Sequence, residues 1–203
     1  MMKYLQKLGK AIMLPVAVLP VAAIMMGIGY AMCPATMQGG DVTGIIQIIG
    51  FALVKIGSAV IDKLPMLFAV GVAIGLSKDQ HGAAGLAGLV AFLTVTTVLN
   101  SGVVATMMNV EEAPLAFSKI DNAFIGIISG ITASICYNRF SSAQLPTALA
   151  FFSGKRCVPI VTSFVMVAES AILYFVWPML FNALVWVGEH IMGLGPVGAG
   201  LYA

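Results

Sequence analysis

Long apolar runs, separated by short polar stretches, dominate the pattern of this sequence. A helix that crosses a membrane needs about 20 mostly apolar residues. Four runs approach or exceed that length, at residues 11–32, 82–99, 122–137 and 158–178. The pattern therefore predicts an all-α integral membrane protein, in which each of these runs forms one transmembrane helix.

A further apolar stretch, residues 45–77, is too long for a single span and is interrupted by the sequence DKLP, which ends in Pro65. Proline removes one helical hydrogen bond and clashes with the preceding turn. We therefore predict a helix over 45–62, a break near Pro65 and a second piece over 65–77. With this broken helix as the second span, the chain has about five transmembrane helices.

Amphipathic stretches lie near both ends of the chain. Lys3, Lys7 and Lys10 are three and four residues apart, so a helix over residues 1–10 carries them on one face. Such a basic helix is typical of segments that lie on an anionic membrane surface; a solvated, frayed terminus is the alternative. The pattern over residues 181–192 predicts a second amphipathic helix near the opposite membrane interface, followed by a connecting segment.

Composition and charge agree with a membrane protein. Of the 203 residues, 60% are hydrophobic and only 9% are charged, whereas soluble domains have about 25% charged residues. The formal net charge of +2 is too small to indicate a nucleic-acid partner. The three cysteines are widely spaced and form no Cys/His cluster, so the sequence predicts no metal site, no disulfide framework and no cofactor.

Lys and Arg are distributed unevenly among the loops. The N-terminal segment, the 78–81 turn with Lys78 and the loop 138–157 carry them, whereas the loops 33–44 and 101–120 are poor. Cytoplasmic loops of membrane proteins carry the excess of positive charge. The pattern predicts a multi-pass protein with a cytoplasmic N-terminus.

The loop 138–157 contributes Arg139, Lys155 and Arg156. The last two stand in the sequence SGKR, which lacks the earlier glycine and the following Ser or Thr of a phosphate-binding loop. We interpret the three cations as anchors that hold the loop on the cytoplasmic side, with contact to anionic lipid or to a docking partner as further roles.

A polar stripe runs along the predicted helix 45–62. Gln47, Lys55, Ser58 and Asp62 fall within a narrow arc at helical spacing. Polar groups on an otherwise apolar transmembrane helix face a partner helix, the water interface or a solute path. Packing or interface placement and the lining of a solute path both stay open from the sequence.

Glu169 lies near the middle of the fifth span. A charged side chain at the bilayer centre costs about 2.5–3.5 kcal/mol on insertion scales, so we expect Glu169 to be protonated, paired or in contact with water. A pair between Glu169 and Lys55 is our hypothesis for this residue.

Two G-x-x-x-G sequences predict close helix packing. Gly71 and Gly75 form one of them, and Gly126 and Gly130 form the other. Small residues let helix backbones approach each other where lipid supplies no hydrophobic drive between helices. The motifs indicate tight packing and are compatible with a dimer.

Several stretches together resemble one known family. They are LGKAIMLPVAVLPVAAIMMGIG at 8–29, LPMLFAVGVAIGLSKD at 64–79, YNRF…QLPTALAFFSGKRCVPIVT at 137–162, VWP at 176–178 and GPVGAGLYA at 195–203. In this order they are similar to the membrane component, enzyme IIC, of the bacterial sugar phosphotransferase system. The match is to the glucose and N-acetylglucosamine branch, and the sequence SKDQHGAAGLAG favours N-acetylglucosamine.

The resemblance implies a homodimer that carries sugar across the inner membrane by alternating access. It also implies coupled phosphorylation by a phosphocysteine on a IIB domain, supplied through IIA, the phosphocarrier HPr and enzyme I. The chain would then be a membrane component of a sugar phosphotransferase, and the resemblance assigns no catalytic residue to this segment.

The resemblance also implies a division of the chain. Residues 1–10 form an interfacial helix, 11–178 a transmembrane scaffold and dimerisation domain, and 179–203 an amphipathic helix with a connector to a separate transport domain. We expect the chain to be the N-terminal half of such a transporter, with the sugar-binding residues in the other half. The alternative is a truncated scaffold that does not transport but dimerises with, or regulates, a full-length transporter.

Overall fold

The computed structural model describes residues 2–193, and within that range the secondary structure is entirely helical. In this range the α-helices are α1 Met2–Val16, α2 Leu19–Met32, α3 Ala35–Gln38, α4 Ile45–Asp62, α5 Leu64–Leu76, α6 Gly82–Val98, α7 Ser101–Met108, α8 Leu115–Ser118, α9 Ala123–Phe140 and α10 Cys157–Gly193. Two short 3₁₀ helices, Thr147–Phe152 and Gly154–Arg156, precede α10. The predicted all-α class is confirmed, while the end of the predicted connector lies outside the described residues.

Four helical segments within residues 2–193 are long and apolar enough to cross a membrane: Tyr4–Met32, α4, α9 and the segment Gly154–Ile191. The helices α6 and α7 make a fifth span if the pair, which bends by 48°, is taken as one. The prediction of about five transmembrane helices is confirmed.

The predicted break near Pro65 is also confirmed. The chain leaves the helix at Lys63, whose N–H still donates to the Ala59 carbonyl oxygen at 3.3 Å. Pro65 stands in the first turn of α5. There its missing N–H costs no intrahelical hydrogen bond, and its fixed φ suits the start of a helix.

The N-terminal helix is longer than we predicted. It continues past residue 10 to Val16, and the chain interrupts its helical course only at residues 17–18 before α2 begins. The physical reason is the position of the prolines. Pro15 lies within the last turn of α1, and Pro20 occupies the first turn of α2, so the boundary follows the prolines rather than the last lysine.

The structure differs from the prediction at Pro178 as well. We predicted that the span ends there and that a separate amphipathic helix covers 181–192, but α10 is one helix of 37 residues that contains Pro178 in its interior. A proline deletes a single backbone hydrogen bond, and transmembrane helices tolerate it where local adjustments satisfy the freed group. Apolar residues on both sides then continue the helix.

Helix contacts divide the described chain into two units. The first comprises residues 2–92 and 122–162, and the second comprises residues 93–121 and 163–193. In the first unit, α1 and α9 pack on α5, and α2 packs on α4. The centre is α5, which is apolar all round and buries side chains such as Phe68, Val72 and Leu76, as expected for a helix enclosed by others.

The second unit has its own aromatic core. The buried indole of Trp177 donates from Nε1 to the carbonyl oxygen of Ala116 at 2.7 Å. The rings of Phe117 and Tyr174 stack with their centroids 5.7 Å apart. The indole N–H needs a partner when it is buried, and the short helix α8 supplies it.

Candidate functional site

The first unit carries a dense set of hydrogen-bonded polar side chains at the C-terminal end of α5. We call this set the polar cluster, and its members are Lys7, Lys78, Asp79, Tyr137, Asn138 and Lys155. They come from α1, from the turn after α5, from α9 and from the loop before α10. The cluster therefore joins segments that are far apart in the sequence.

The cluster begins with the end of α5. The last carbonyl groups of a helix have no intrahelical donors. Here the Lys7 ammonium group donates to the carbonyl oxygens of Leu76 at 3.0 Å and Ser77 at 3.2 Å. The Asn138 amide donates to the Leu76 oxygen at 3.1 Å. A cation at this end also opposes the negative pole of the helix dipole, so Lys7 fixes α1 against α5.

The turn after α5 is held by Asn138. The backbone N–H of Lys78 donates to Asn138 Oδ1 at 2.8 Å, and the Lys78 ammonium group donates to the Asn138 carbonyl oxygen at 3.2 Å. Gln80 in the same turn has a positive φ of 51°, which is uncommon for a residue other than glycine. The hydrogen bonds at Lys78 and the backbone conformation of Gln80 together fix the orientation of Asp79, which lies between these two residues.

Asp79 is the electrostatic centre of the polar cluster. Its Oδ2 accepts hydrogen bonds from the Lys155 ammonium group at 2.6 Å and from the Tyr137 hydroxyl at 3.0 Å. The hydrogen bond from Lys155, followed by that from Tyr137, lowers the pKa of Asp79 from 3.8 to about 2. Asp79 is therefore ionised at neutral pH, and it holds the loop before α10 against the end of α5.

Gly154 shapes the loop that delivers Lys155. Its φ is +69°, a left-handed conformation that glycine adopts without steric cost. Its N–H donates to the Ala143 carbonyl oxygen at 2.8 Å, and the preceding Ser153 hydroxyl accepts the N–H of Leu145 at 3.0 Å. The glycine of SGKR thus serves a tight turn.

The other two predicted cations lie outside the polar cluster. Arg156 donates to the Phe151 carbonyl oxygen at 3.2 Å, and its guanidinium lies 4.9 Å from the centre of the Phe151 ring. Arg139 is exposed in the last turn of α9. Their roles in topology and partner docking stay predictions.

The structure does not gather the predicted polar stripe of α4 into this site. The side chain of Gln47 accepts the backbone N–H of Thr43 at 2.9 Å, next to the start of α4. The Lys55 ammonium group lies 5.3 Å from the centre of the Phe51 ring, and Asp62 is exposed at the end of the helix. On the second unit, Oε1 of Glu169 is buried. Their substrate roles and the Glu169–Lys55 pair remain predictions.

The glycines of both G-x-x-x-G sequences lie at helix contacts within the first unit. Gly71 faces the ring of Pro15, and Gly75 faces Ala11, so both let α1 approach α5. On α9, Gly126 faces the Pro65 backbone, and Gly130 faces the Ala69 carbonyl oxygen, where an added Cβ would lie 2.8 Å away. These contacts use the motifs inside one chain.

Sequence reasoning missed three members of the polar cluster: Asp79, Tyr137 and Asn138. The available signal was indirect. Asp79 lies in a turn next to Lys78, and Tyr137 and Asn138 end an apolar run just before Arg139. Pairing them required the knowledge that α5 and α9 lie side by side.

Comparison with known proteins identifies the family. The sequence profile described as "Phosphotransferase system, EIIC" matches residues 9–203. The chain belongs to the EIIC family. The resemblance read from the sequence motifs is thereby confirmed.

Known relatives support the same branch of the EIIC family. The chain is 38% identical to the N-acetylglucosamine-specific EIICB component of Bacillus subtilis (strain 168), over 100% of this chain and 39% of the relative. It is 37% identical to the N-acetylglucosamine-specific EIICBA component of Escherichia coli (strain K12), over 98% of this chain and 26% of the relative. The glucose-specific EIICBA component of Staphylococcus saprophyticus subsp. saprophyticus is 36% identical, over 93% of this chain and 29% of the relative.

This EIIC chain therefore spans between a quarter and two fifths of the length of these relatives. With its apolar helices, the family membership makes it a multi-pass inner-membrane protein. Both family stretches around the polar cluster, LPMLFAVGVAIGLSKD and YNRF…FFSGKRCVPIVT, meet at the ion pair between Asp79 and Lys155.

The cysteines of the EIIC chain lie inside the fold. Cys33, Cys136 and Cys157 are free thiols, and all three are buried, as is common for cysteines that pack as small apolar residues. Within residues 2–193, no group of three or more His, Cys, Asp or Glu side chains could hold a metal ion.

Proposed function

We propose that this EIIC chain is part of a phosphotransferase-system transporter that carries N-acetylglucosamine across the inner membrane with coupled phosphorylation. The observation that carries the proposal is the identity of 38% and 37%, over essentially the whole chain, with two relatives named as N-acetylglucosamine-specific. Glucose is the second candidate, because a glucose-specific relative is 36% identical over 93% of the chain.

Within that transporter, residues 11–178 serve as a scaffold and dimerisation domain. The polar cluster supports this role, because its hydrogen bonds hold α1 and the ends of α5 and α9 together and leave few donors for a sugar. A hydroxyl-rich sugar needs a partner for each buried hydroxyl group. The sugar contacts of this chain would come from Gln47, Lys55 and Asp62 on α4 and from Glu169, with further contacts from the rest of the transporter.

Phosphorylation requires partner domains. The names EIICB and EIICBA of the relatives support B and A components as partners of this chain. A sugar hydroxyl oxygen attacks the phosphorus of a phosphocysteine on IIB, so an O–P bond forms and the S–P bond breaks. The hydroxyl proton leaves to a base or to water, and the thiolate is rephosphorylated through IIA, HPr and enzyme I. The buried cysteines of this chain are unsuited to that exchange.

The charge distribution supports a cytoplasmic N-terminus. Lys7, Lys78 and Lys155 meet at the polar cluster, so one end of the first unit concentrates positive charge, as cytoplasmic ends of membrane proteins do. Phosphorylated IIB would approach this end, with Arg139 and Arg156 as exposed cations.

Uptake of labelled sugars tests the proposal. Cells that lack their own transporters would express the complete gene and be given labelled N-acetylglucosamine or glucose, with and without HPr. We expect accumulation of phosphorylated N-acetylglucosamine only when HPr is present. Uptake that does not need HPr contradicts the proposal, and preferential uptake of glucose changes the substrate.

The same cells test the dimer and the scaffold alternative. Two differently tagged copies should purify together if the chain forms a homodimer. Copies that associate with each other and with a full-length transporter, but give no uptake of either sugar, would favour a scaffold that does not transport.

A further inference from the structure

A cavity of about 510 Å³ lies between the first turns of α6 and α10 in the first unit. The residues that line it are polar or charged near the helix starts and apolar further along the helices. His81, Lys155 and Arg156 stand before or at the helix starts, whereas Leu86 and Ile160 stand about one turn further along. Both helices belong to membrane-spanning segments. The cations of the cavity therefore lie where these helices begin, and its apolar side chains lie further along the spans.

Arg156 is the cation of this cavity with the most free donors. Lys155 is occupied by its ion pair with Asp79. The guanidinium of Arg156 has five N–H donors, and within residues 2–193 one of them is used, from Nη1 to the Phe151 carbonyl oxygen. The planar group can therefore offer a pair of N–H bonds to the oxygens of a phosphate, which is the geometry that arginine recognises best.

His81 adds a second polar group to the cavity. Its Nδ1 accepts the backbone N–H of Ala83 at 3.0 Å. In the neutral ring the proton must then reside on Nε2, which makes that nitrogen a donor. The side chain of His81 is exposed, so the donor is available to an anion at the entrance.

Two phenylalanines complete the lining. Phe151 is 71% exposed and Phe152 is 42% exposed, although each carries a large apolar ring that favours burial. They directly precede the segment with Lys155 and Arg156. Exposed rings beside cations at the start of a membrane helix match the layered chemistry of a lipid, in which an anionic headgroup lies next to apolar chains.

We propose that this cavity binds one anionic phospholipid. The phosphate of the headgroup binds Arg156, with His81 as a second donor, and one acyl chain lies along Leu86, Phe152 and Ile160. The positive charge of Arg156 favours an anionic headgroup. The apolar side chains of the lining favour a lipid over a free anion. The lipid proposal does not rest on the proposed sugar function, and the two fail separately, because lipid retention is measured without sugar or HPr.

Native mass spectrometry of the complete protein tests the site. The protein is stripped of lipid in detergent and titrated with dioleoyl phosphatidylglycerol or dioleoyl phosphatidylcholine. We expect phosphatidylglycerol to be retained in preference. Arg156→Gln should lower its retention by about fivefold, the factor that corresponds to one cation near an anionic lipid surface. The matched control Arg139→Gln, which removes a cation outside the cavity, should leave the retention unchanged.

Phe152→Ser separates the apolar part of the site from the headgroup part. It should lower the retention of both lipids by the same factor, so that the ratio of retained phosphatidylglycerol to phosphatidylcholine stays the same. This variant tests lipid binding in the cavity even if Arg156→Gln does not fold. Equal retention of the two lipids by the wild type, equal effects of the two arginine variants, or no effect of Phe152→Ser would each overturn the proposal.

Two further binding measurements test other ligands of this cavity. Displacement of phosphatidylglycerol by inorganic phosphate would assign the cavity to a free anion and overturn the lipid proposal. If Arg156→Gln weakens binding of phosphorylated IIB but leaves phosphatidylglycerol retention intact, the surface is a protein docking site and the lipid proposal is wrong.

Discussion

The Lys155 ammonium group lies 2.6 Å from Oδ2 of Asp79, 76 positions earlier in the chain. The pair joins the loop before α10 to the turn after α5, and the Tyr137 hydroxyl binds the same oxygen from α9. Three segments therefore meet at one carboxylate. Because the two charged side chains are partly exposed, the pair contributes chiefly to the position of the loop rather than to global stability.

The first prediction concerns the pH dependence of this contact. The pKa of Asp79 is about 2 in the folded protein and 3.8 without its partners. A carboxyl group whose pKa is lowered on folding stabilises the fold above its unfolded pKa, and that stabilisation is lost as pH falls through the folded pKa. The Tm difference between wild type and Asp79→Asn should be nearly constant above about pH 5, should shrink between about pH 4 and pH 2, and should disappear only below the folded pKa.

Thermal unfolding in detergent across this range is the measurement. Other carboxyl groups titrate in both proteins, so the difference between them isolates Asp79. A Tm difference that does not change between pH 5 and pH 2 would show that Asp79 is not held by Lys155 and Tyr137.

The second prediction concerns the contact between α5 and α9. In Gly130→Ala, the new Cβ would lie 2.8 Å from the Ala69 carbonyl oxygen and 2.8 Å from Val72 Cβ. Because a backbone oxygen cannot turn aside, the helices must separate, and we expect a loss of about 1–3 kcal/mol in the free energy of unfolding. Gly27→Ala is the matched control, since no described residue comes within 4 Å of its added Cβ.

The control should be neutral or stabilising by up to about 1 kcal/mol, because alanine favours the helix. Denaturant unfolding of both variants gives the comparison. Equal stability of Gly130→Ala and Gly27→Ala would contradict the close approach of α5 and α9.

The third prediction concerns the turn at Gly154. With φ at +69°, a residue that has a Cβ is strained, so Gly154→Ala should cost about 1–2 kcal/mol of unfolding free energy. Gly154→Asn should cost less, because asparagine tolerates the left-handed region. Gly82→Ala should be close to neutral, because in the described part of the chain no atom lies within 4 Å of the added Cβ. An alanine as stable as asparagine at position 154 would refute the turn.

The fourth prediction concerns Trp177 in the second unit. Trp177→Phe keeps an aromatic ring but removes the Nε1 donor to the Ala116 oxygen. Loss of a buried hydrogen bond should cost about 1 kcal/mol of unfolding free energy. Trp186→Phe changes a tryptophan that is 58% exposed and should have little effect. Denaturant unfolding compares them, and equal effects would mean that the Trp177 hydrogen bond contributes nothing.

Much of the fold followed from local pattern. The apolar runs predicted the spans, and DKLP predicted the break before α5, because both depend on neighbouring residues and on the fixed backbone of Pro65. The same local rule gave a boundary at Pro178 that the structure does not have. A proline interrupts a helix only if the surrounding contacts do not restore it, and those contacts are tertiary.

The candidate site was predicted only in part. Charge counting selected Lys155, Arg156 and Arg139, because an excess of cations in one loop is visible in composition. It could not select Asp79 or Asn138, whose partners lie 58 or more positions away. Their polar groups are unremarkable in sequence, and their importance comes from the carbonyls and cations that the folded chain brings to them.

The sequence by itself determined that this protein lies in a lipid membrane, how many times it crosses it, to which family it belongs and at which glycines its helices come close. These properties depend on composition and local spacing. The tertiary structure alone decided that α5 lies between α1 and α9, and that Asp79 receives Lys155 and Tyr137. The physical reason is that hydrogen bonds and ion pairs act over about 3 Å, so they exist only once packing at Gly75 and Gly130 has brought the backbones together.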